Sequence, residues 1–274
     1  GEGLGNQFLT NIRQVDAVAH VVRCFDSNDI THVEGGVDPE RDIDIINTEL
    51  LLTDMEIIDR AAERTSKGSK GGDKELLKKL ENLKILQAEV AKGTLIRNIE
   101  GYKEITAELS EYSFITAKPV MYVMNVNEDN ILEDNEYAAR VRKIAEKEGA
   151  VCVRICGKIE QEISELDEEE AREFLDSLGL TRSGLSEMTE QGYKLLDLIT
   201  YFTAGEKEVR AWTITRGTTA QKAAGKIHSD IERGFIRAEV TGYNDFKEFN
   251  SLVKAKEMGK MRLEGKEYIV QDGD

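Results

Sequence analysis

The stretch Val120-Met121-Tyr122-Val123-Met124-Asn125-Val126-Asn127-Glu128 decides the fold of this 274-residue chain. Its apolar first half is short and continuous, which predicts a strand buried on both faces of a parallel sheet. A helical pattern over residues 136–147 leads to a second apolar run over residues 150–156. Strand, helix and strand therefore form a parallel crossover unit, and the sheet belongs to an α/β fold.

Polar or small residues follow both predicted strands. Asn125 follows the first run, and Cys156-Gly157-Lys158 ends the second. Open parallel sheets bind their ligands beyond the carboxyl ends of the strands. The sequence therefore predicts a binding site at this edge.

The four residues Asn125-Val126-Asn127-Glu128 resemble the Asn-Lys-x-Asp motif with which P-loop GTPases read guanine. In that motif the Asp carboxylate accepts hydrogen bonds from guanine N1–H and N2–H2. The Glu128 carboxylate is one methylene longer, roughly 1.5 Å further out, and Val126 lacks the Lys stem that forms one wall of the base slot. Guanine would leave polar groups unpaired, whereas adenine has no N1–H to lose. The pattern favours adenine; a simple strand-end turn capped by Asn125 is the alternative interpretation.

Longer segments resemble one family over essentially the whole chain. Residues 1–9 are similar to the stretch that follows the switch II Asp-x-x-Gly, and the match continues through His20-Val21-Val22-Arg23-Cys24-Phe25. Residues 201–205 and 207–214 are similar to the opening of a TGS domain. Together with the Asn-x-x-Glu motif, these segments resemble the YchF family of Obg-like ATPases.

The resemblance implies a P-loop NTPase-type parallel sheet, incomplete at its N-terminal part, with a helical coiled-coil insertion and a C-terminal β-grasp TGS domain. We expect the nucleotide-binding domain over residues 1–40 and 113–200, the insertion over residues 41–112, and the TGS domain over residues 201–274 with its last strand missing. The order of strand pair, helix and further strands after residue 200 also suits a β-grasp fold.

The resemblance further implies a cytoplasmic protein that binds the ribosome, through rRNA and ribosomal subunits, and slowly hydrolyses ATP with Mg²⁺. The nucleotide-binding residues would be Asn125, the backbone of Val126, Glu128, Cys156 and Gly157. Gly157 lacks a side chain that could obstruct the base, although a plain strand-to-loop turn explains it equally. We expect no DNA partner and no membrane partner.

His32 is the candidate catalytic residue. An apolar strand is predicted over residues 17–25, and its near-continuous apolar character suits a parallel sheet buried on both faces. His32 lies in the loop between this strand and the insertion, and some side chain must orient the attacking water where an apolar residue replaces the switch Gln. An ordinary surface-loop histidine is the alternative.

A phosphate-binding motif, Gly-x-x-x-x-Gly-Lys-Ser/Thr, does not occur in the 274 residues. The most similar segment, residues 68–74, has no strand before it and no Ser or Thr after its Lys, so it is interpreted as a hairpin tip. We expect the phosphate loop and the Mg²⁺ ligands in a segment that precedes Gly1 in the intact protein, and no metal ligands in this chain. A translation-factor-type GTPase and a non-enzymatic ribosome or RNA adaptor are the alternative functions.

Apolar residues at heptad-like spacing predict two antiparallel helices on either side of this tip. They are Ile43, Ile46, Leu50 and Ile57 before the tip, and Leu76, Leu80, Leu83 and Val90 after it.

The chain carries a net charge of −16, which excludes nucleic-acid binding through bulk attraction. Residues 203–274 differ, with 13 Lys and Arg against 12 Asp and Glu. Any RNA contact must use a local basic patch, unless these residues are only a solvated face of mixed charge. The candidates are Lys254, Lys256, Lys260, Arg262 and Lys266, with Lys222, Lys226, Arg233 and Arg237 nearby in sequence.

Three cysteines, Cys24, Cys152 and Cys156, lie in or beside apolar strands. We expect buried thiols in a reducing compartment, and neither a disulfide nor a metal site. No stretch is long and apolar enough to span a bilayer, and no signal peptide is expected.

Overall fold

A computed structural model describes residues 2–27, 36–68, 73–205 and 208–274. The chain divides into two compact units, Gly1–Gly192 and Tyr193–Asp274. The first unit contains, in chain order, α1 (Glu2–Gln14), β1 (Val18–Arg23), α2 (Pro39–Gly68), α3 (Lys74–Val90), α4 (Tyr102–Ala107), β2 (Val120–Asn125), α5 (Glu136–Glu148), β3 (Val151–Ile155), α6 (Gly157–Ser164), α7 (Glu168–Ser177) and α8 (Gly184–Leu195), which runs into the second unit.

The three strands of the first unit form a parallel sheet in the order β1-β2-β3. Arg23, Asn125 and Ile155 are aligned across the three strands, so the carboxyl ends meet at one edge. Helix α5 makes the connection from β2 to β3, which confirms the predicted crossover and the α/β fold. The sheet therefore presents the ends of β2 and β3 side by side.

One face of this sheet packs against α5 and the start of α2. Val22, Tyr122 and Met124 are buried there with Ile43 of α2 and Val141 of α5. The N-terminus of α5 is stabilised because the side chain of its N-cap residue, Asn135, accepts a hydrogen bond from Ala138 N. Burial of this face anchors the long α2 helix to the sheet.

Strand β1 differs from the prediction of a strand buried on both faces. Val21 is 60% exposed, whereas Val123 and Val153, aligned with it on β2 and β3, are buried. Phe8 of α1 and Val15 are exposed as well. Within the described ranges, one face of β1 therefore lacks the cover that β2 and β3 have at the aligned positions.

Helices α2 and α3 form the predicted antiparallel pair. A Cβ on Gly68 would lie 3.6 Å from Leu76, and Gln87 Nε2 donates to Asp59 Oδ1 over 2.6 Å, so the two helices run in opposite directions. Residues 69–72, most of the predicted hairpin tip, lie outside the described residues.

The helix seam uses partly different residues from those predicted. Leu51, Ile58 and Ala61 of α2 pack with Leu83, Leu86 and Val90 of α3. Ile46 is 45% exposed, and Ile43 belongs to the core of the sheet instead. Because the first two turns of α2 lie over the sheet, the seam starts later than the apolar spacing suggests.

Asp54 of α2 is fully buried at the base of this hairpin. Its carboxylate accepts hydrogen bonds from Ile115 N (2.9 Å), Thr116 N (2.7 Å) and Thr116 Oγ1 (2.7 Å). Burial raises the pKa of the Asp54 carboxyl, and the bonds from Thr116 and Ile115 oppose that rise. These bonds fix the segment that leads into β2.

The acidic run after β3 forms two helices, α6 and α7. Asp167 starts α7 with a capping box, in which its side chain accepts from Glu170 N and the Glu170 side chain accepts from Asp167 N. Glu160 of α6 accepts from Gly184 N (2.7 Å) and Leu185 N (3.2 Å), which caps α8. These carboxylates therefore serve helix ends.

The second unit contains β4 (Leu198–Ala204), β5 (Val209–Thr215), α9 (Ala220–Ile227), α10 (Ser229–Gly234), β6 (Arg237–Val240), α11 (Tyr243–Phe249), α12 (Leu252–Glu257) and β7 (Arg262–Gly265). The strands pair antiparallel, β4 with β5 and β6 with β7. Ile199, Tyr201 and Ile214 form its core with Ala220 and Val270.

The final residues lie along β4. Gly273 N donates to Thr200 O, and Phe202 N donates to Asp274 O, each over 2.8 Å. The turn-like segment of residues 271–274 thus begins to pair with the edge of β4 that faces away from β5.

Candidate functional site

The carboxyl edge of the sheet is held together by bonds between neighbouring loops. Asn125 Oδ1 accepts from Gly157 N over 3.0 Å, and Val126 N donates to Ile155 O over 2.8 Å. On the other side, Cys24 N donates to Asn125 O over 2.8 Å. The residues at the ends of β1, β2 and β3 are therefore joined by hydrogen bonds into one rim at the predicted edge of the sheet.

Asn125 is the central residue of this rim. Its side-chain oxygen is bound to Gly157 N, and its Nδ2 group makes no hydrogen bond to any described residue. An amide N–H of this kind can donate to a ring nitrogen such as purine N7. The Asn125 side chain thus fits a purine while it joins β2 to α6.

Val126 is predicted to contribute to the base slot through its backbone alone. The residue is 2% exposed, and its side chain packs in the core of the sheet. Its N–H is used by Ile155 O, which leaves its carbonyl oxygen as the backbone group that could meet a ligand.

Glu128 is paired with Lys158. Lys158 Nζ lies 3.0 Å from both Glu128 Oε1 and Glu128 Oε2, and 4.0 Å from Glu162 Oε1. The hydrogen bond to Glu128 raises the pKa of Lys158. In the sequence, Lys158 stands out only as the end of the second apolar run, because its partner lies 30 residues away in the chain.

Cys156 and Gly157 form the start of α6. Cys156 is 2% exposed and is the N-cap residue, so β3 ends one residue earlier than predicted. A Cβ on Gly157 would lie 3.5 Å from Asn125 Oδ1, an ordinary contact distance. The free protein therefore has room for a side chain at residue 157.

The loop after Glu128 is braced by polar residues that sequence analysis missed. Asn135 Nδ2 donates to Cys24 O over 2.7 Å, which ties the start of α5 to the end of β1. Asp134 accepts from Arg142 and from Arg154 Nη1, and these bonds, led by that from Arg142, lower the pKa of Asp134 despite its partial burial. The pattern Asn135-Glu136-Tyr137-Ala138 before a helix was the signal for Asn135 as an N-cap.

His32 lies outside the described residues. Asp26 and Asp38, which lie on either side of its segment, each accept a hydrogen bond from a side chain of α5. Tyr137 Oη donates to Asp26 Oδ2 over 2.9 Å, and Arg140 Nη2 donates to Asp38 Oδ1 over 2.7 Å. The segment is therefore bounded on both sides by contacts to the first two turns of α5.

Cys24, Cys152 and Cys156 are free thiols. Burial raises the pKa of Cys24 to about 12 and that of Cys152 to about 11, so neither is a reactive thiolate at neutral pH. Across the described ranges, no group of three or more His, Cys, Asp or Glu residues could hold a metal ion. In the same ranges, no helix combines the length and the apolar character needed to cross a membrane.

The basic cluster of the second unit is largely paired with acidic residues. Lys256 lies 3.0 Å from Glu239, Lys260 lies 3.2 Å from Asp245, and Arg262 contacts both Glu264 and Asp274. Lys254, Lys266 and Arg237 have no ion pair with a described residue, and neither have Lys222 and Lys226 on α9. Among the described residues, a positive surface would therefore draw on these five side chains and not on the whole cluster.

Comparison with known proteins identifies similar chains. A family model named YchF-GTPase_C, described as a protein of unknown function (DUF933), matches residues 198–274. The "Ribosome-binding ATPase YchF" of Haemophilus influenzae is 55% identical over 274 residues, which are 100% of this chain and 75% of that protein. The proteins of the same name from Escherichia coli O157:H7 and Bacillus subtilis are 52% and 49% identical, with the same coverage.

A solved structure shares the fold. The YchF GTPase of Schizosaccharomyces pombe superposes with a TM-score of 0.88 at 35% identity, over 100% of this chain and 75% of that one. The agreement extends over the sheet, the helical hairpin and the C-terminal residues that the family model matches.

Proposed function

The chain belongs to the YchF family, and from that premise we propose that the intact protein is a ribosome-associated P-loop nucleotidase that binds ATP in preference to GTP and hydrolyses it slowly. The observation that carries the proposal is the bond between Asn125 Oδ1 and Gly157 N. It joins two loops at the edge where open parallel sheets bind ligands. It also leaves the Asn125 amide nitrogen for a purine.

In this proposal Asn125 donates to the base, the Val126 carbonyl accepts from the adenine amino group, and Glu128 sets the base preference. Cys156 and Gly157 line the base pocket at the start of α6. The exposed position of Gly157 supports close approach of a planar ring. GTP is the competing ligand, since Glu128 retains the carboxylate that reads guanine.

The phosphate-binding residues and the Mg²⁺ ligands belong, in this proposal, to a segment that precedes Gly1 in the intact protein. The 274 residues contain no phosphate loop and span 75% of the H. influenzae relative. The exposed Val21 face of β1 supports a further layer of structure there. Mg²⁺ would neutralise charge on the phosphates of bound ATP.

His32 would orient the attacking water. Its flanking residues Asp26 and Asp38 are held to the first turns of α5, on the side of the sheet edge. His32→Ala in the intact protein is expected to lower turnover about tenfold or more and to leave ATP affinity nearly unchanged. Equal losses of turnover and affinity would remove His32 from a role in water positioning.

We assign residues 1–40 and 113–200 to the nucleotide-binding domain, residues 41–112 to the helical insertion and residues 201–274 to the TGS domain. The insertion and the TGS domain would carry the ribosome contacts in the cytoplasm, through shape and a small basic surface. Without the phosphate-binding segment, the same surfaces would serve a non-enzymatic adaptor that binds RNA or the ribosome.

Titration calorimetry of the intact protein with ATP and GTP tests the nucleotide assignment. ATP is expected to bind at least as tightly as GTP, and Glu128→Asp is expected to shift the ratio toward GTP. Because Val126 is buried, a Lys at residue 126 would also disturb the core, so the single Glu128 change is the cleaner variant. Tighter binding of GTP by the unmodified protein would favour the GTPase alternative.

Co-sedimentation with ribosomes tests the partner. Binding is expected to weaken as salt rises and to fall when Lys222, Lys226 and Lys254 are changed together to Glu. Lys147→Glu on α5 is the control for added negative charge and is expected to bind normally. Failure to sediment at low salt in every nucleotide state would contradict the ribosomal assignment.

A further inference from the structure

The Glu128–Lys158 pair bridges two loops of the sheet edge. Glu128 follows β2 and Lys158 lies in the first turn of α6, directly after the Asn125–Gly157 bond. Both carboxylate oxygens lie 3.0 Å from the same ammonium group. The side chains are 48% and 64% exposed, so a ligand at this edge can reach the pair.

An ammonium group changes what this carboxylate offers a base. A free carboxylate presents two acceptors, which match the N1–H and N2–H2 donors of guanine. With Lys158 bound, the carboxylate already accepts from a charged donor, and the pair presents an acceptor beside a donor. Adenine has a matching edge, since its amino group donates and its N1 accepts.

We propose that Lys158 is a specificity-determining residue that acts through Glu128. Its ammonium group competes with guanine for the Glu128 carboxylate and, with that carboxylate, forms a donor–acceptor pair suited to adenine. The inference rests on the proposed nucleotide site, and it assigns the base preference to two residues on different loops instead of to the Asn-x-x-Glu segment alone.

The expected effect is modest because exposed ion pairs are weak. Loss of the ammonium group is expected to raise guanine affinity relative to adenine affinity about two- to fivefold. Salt screens exposed charges, so the guanine affinity of the unmodified protein is also expected to rise relative to its adenine affinity as the salt concentration increases.

The test measures ADP and GDP binding to the intact protein by calorimetry, because diphosphates avoid turnover. Lys158→Ala and Lys158→Met are expected to increase the ratio of GDP to ADP affinity, while Lys158→Arg keeps it near that of the unmodified protein. Lys147→Ala removes the same charge from an exposed site on α5 and is expected to leave the ratio unchanged.

A double-mutant cycle with Glu128→Gln separates a direct from an indirect role. Because Lys158 competes with guanine for Glu128, Lys158→Ala is expected to change the ratio less in the Glu128→Gln background than in the unmodified protein, where the competition and the donation to adenine are both lost. A shift of the same size in that background would overturn the inference, and so would an unchanged ratio in the single Lys158→Ala variant.

The proposed function fails in a different way. If the unmodified protein bound neither ADP nor GDP, or bound UDP and CDP equally well, the purine site itself would be wrong. Normal purine binding with a Lys158-independent ratio would reject the role of Lys158 and keep the site.

Discussion

The base of the helical hairpin and the edge of the sheet each depend on a carboxylate, and the two carboxylates differ in almost every physical respect. Asp54 is fully buried, and it accepts three hydrogen bonds from Ile115 and Thr116. Glu128 is half exposed and contacts a flexible, exposed lysine. The first carboxylate holds two segments in place, whereas the second remains accessible to a ligand.

The difference shows how burial separates structural from binding roles. A buried carboxylate must be satisfied by fixed partners, since an unpaired one is costly, and so its bonds become part of the fold. An exposed carboxylate keeps its water and can exchange partners at little cost. Four substitutions test this contrast, in order of decreasing effect.

Asp54→Ala is expected to lower the free energy of unfolding by about 3–4 kcal/mol. The change leaves the N–H groups of Ile115 and Thr116 buried without their acceptor. Urea denaturation followed by circular dichroism measures the loss. Asp59→Ala, one turn later on the exposed side of α2, is the matched control and is expected to cost less than about 1 kcal/mol. Equal effects of the two changes would contradict the structural role of Asp54.

Gly184→Ala extends the comparison of crowded and open positions to the backbone. It is expected to lower the free energy of unfolding by about 2 kcal/mol. A Cβ at residue 184 would lie 2.7 Å from Ile155 Cγ2. In Gly157→Ala the new Cβ would lie 3.5 Å from Asn125 Oδ1. This change is expected to alter the free energy of unfolding by less than about 0.5 kcal/mol. Thermal unfolding of both variants measures the difference, and a larger loss at residue 157 would reverse the assignment of crowded and open positions.

Asn125→Ala is expected to weaken ATP and GTP binding by about tenfold each, which corresponds to about 1.4 kcal/mol. The change removes the donor to the base and the acceptor of Gly157 N. Calorimetry with both nucleotides checks this outcome, and a selective loss of one nucleotide would mean that Asn125 discriminates between bases. The free energy of unfolding is expected to change by less than about 1 kcal/mol, because Gly157 is exposed and its N–H can bind water when the Asn125 acceptor is lost.

Glu128→Gln is expected to change the free energy of unfolding by less than about 0.5 kcal/mol. Its partner Lys158 is exposed and regains water when the carboxylate is lost. Thermal unfolding beside Asp54→Asn gives the direct comparison of the two carboxylates. A loss above about 1 kcal/mol in Glu128→Gln would show that the pair stabilises the fold, contrary to a binding role.

Part of the molecule was visible in local patterns. The apolar runs and the intervening helix predicted β2, α5 and β3, because burial on both faces demands continuous apolar strands. The capping box Asp167-Glu168-Glu169-Glu170 is a signal in the sequence for the break between α6 and α7. Likewise, apolar spacing predicted the hairpin but misplaced part of its seam, since it could not show that the start of α2 covers the sheet.

By itself, the sequence determined the order of β2, α5 and β3, the helical hairpin, the position of Asn125 at a strand end, and the acidic charge of the chain. Only the tertiary structure decided that Lys158 pairs with Glu128, that Asp54 binds a segment 62 residues away, and that three of the clustered basic side chains are neutralised. The physical reason is range. Periodicity and capping act over one or two helical turns, whereas polar pairing depends on which distant loops the packed core brings together.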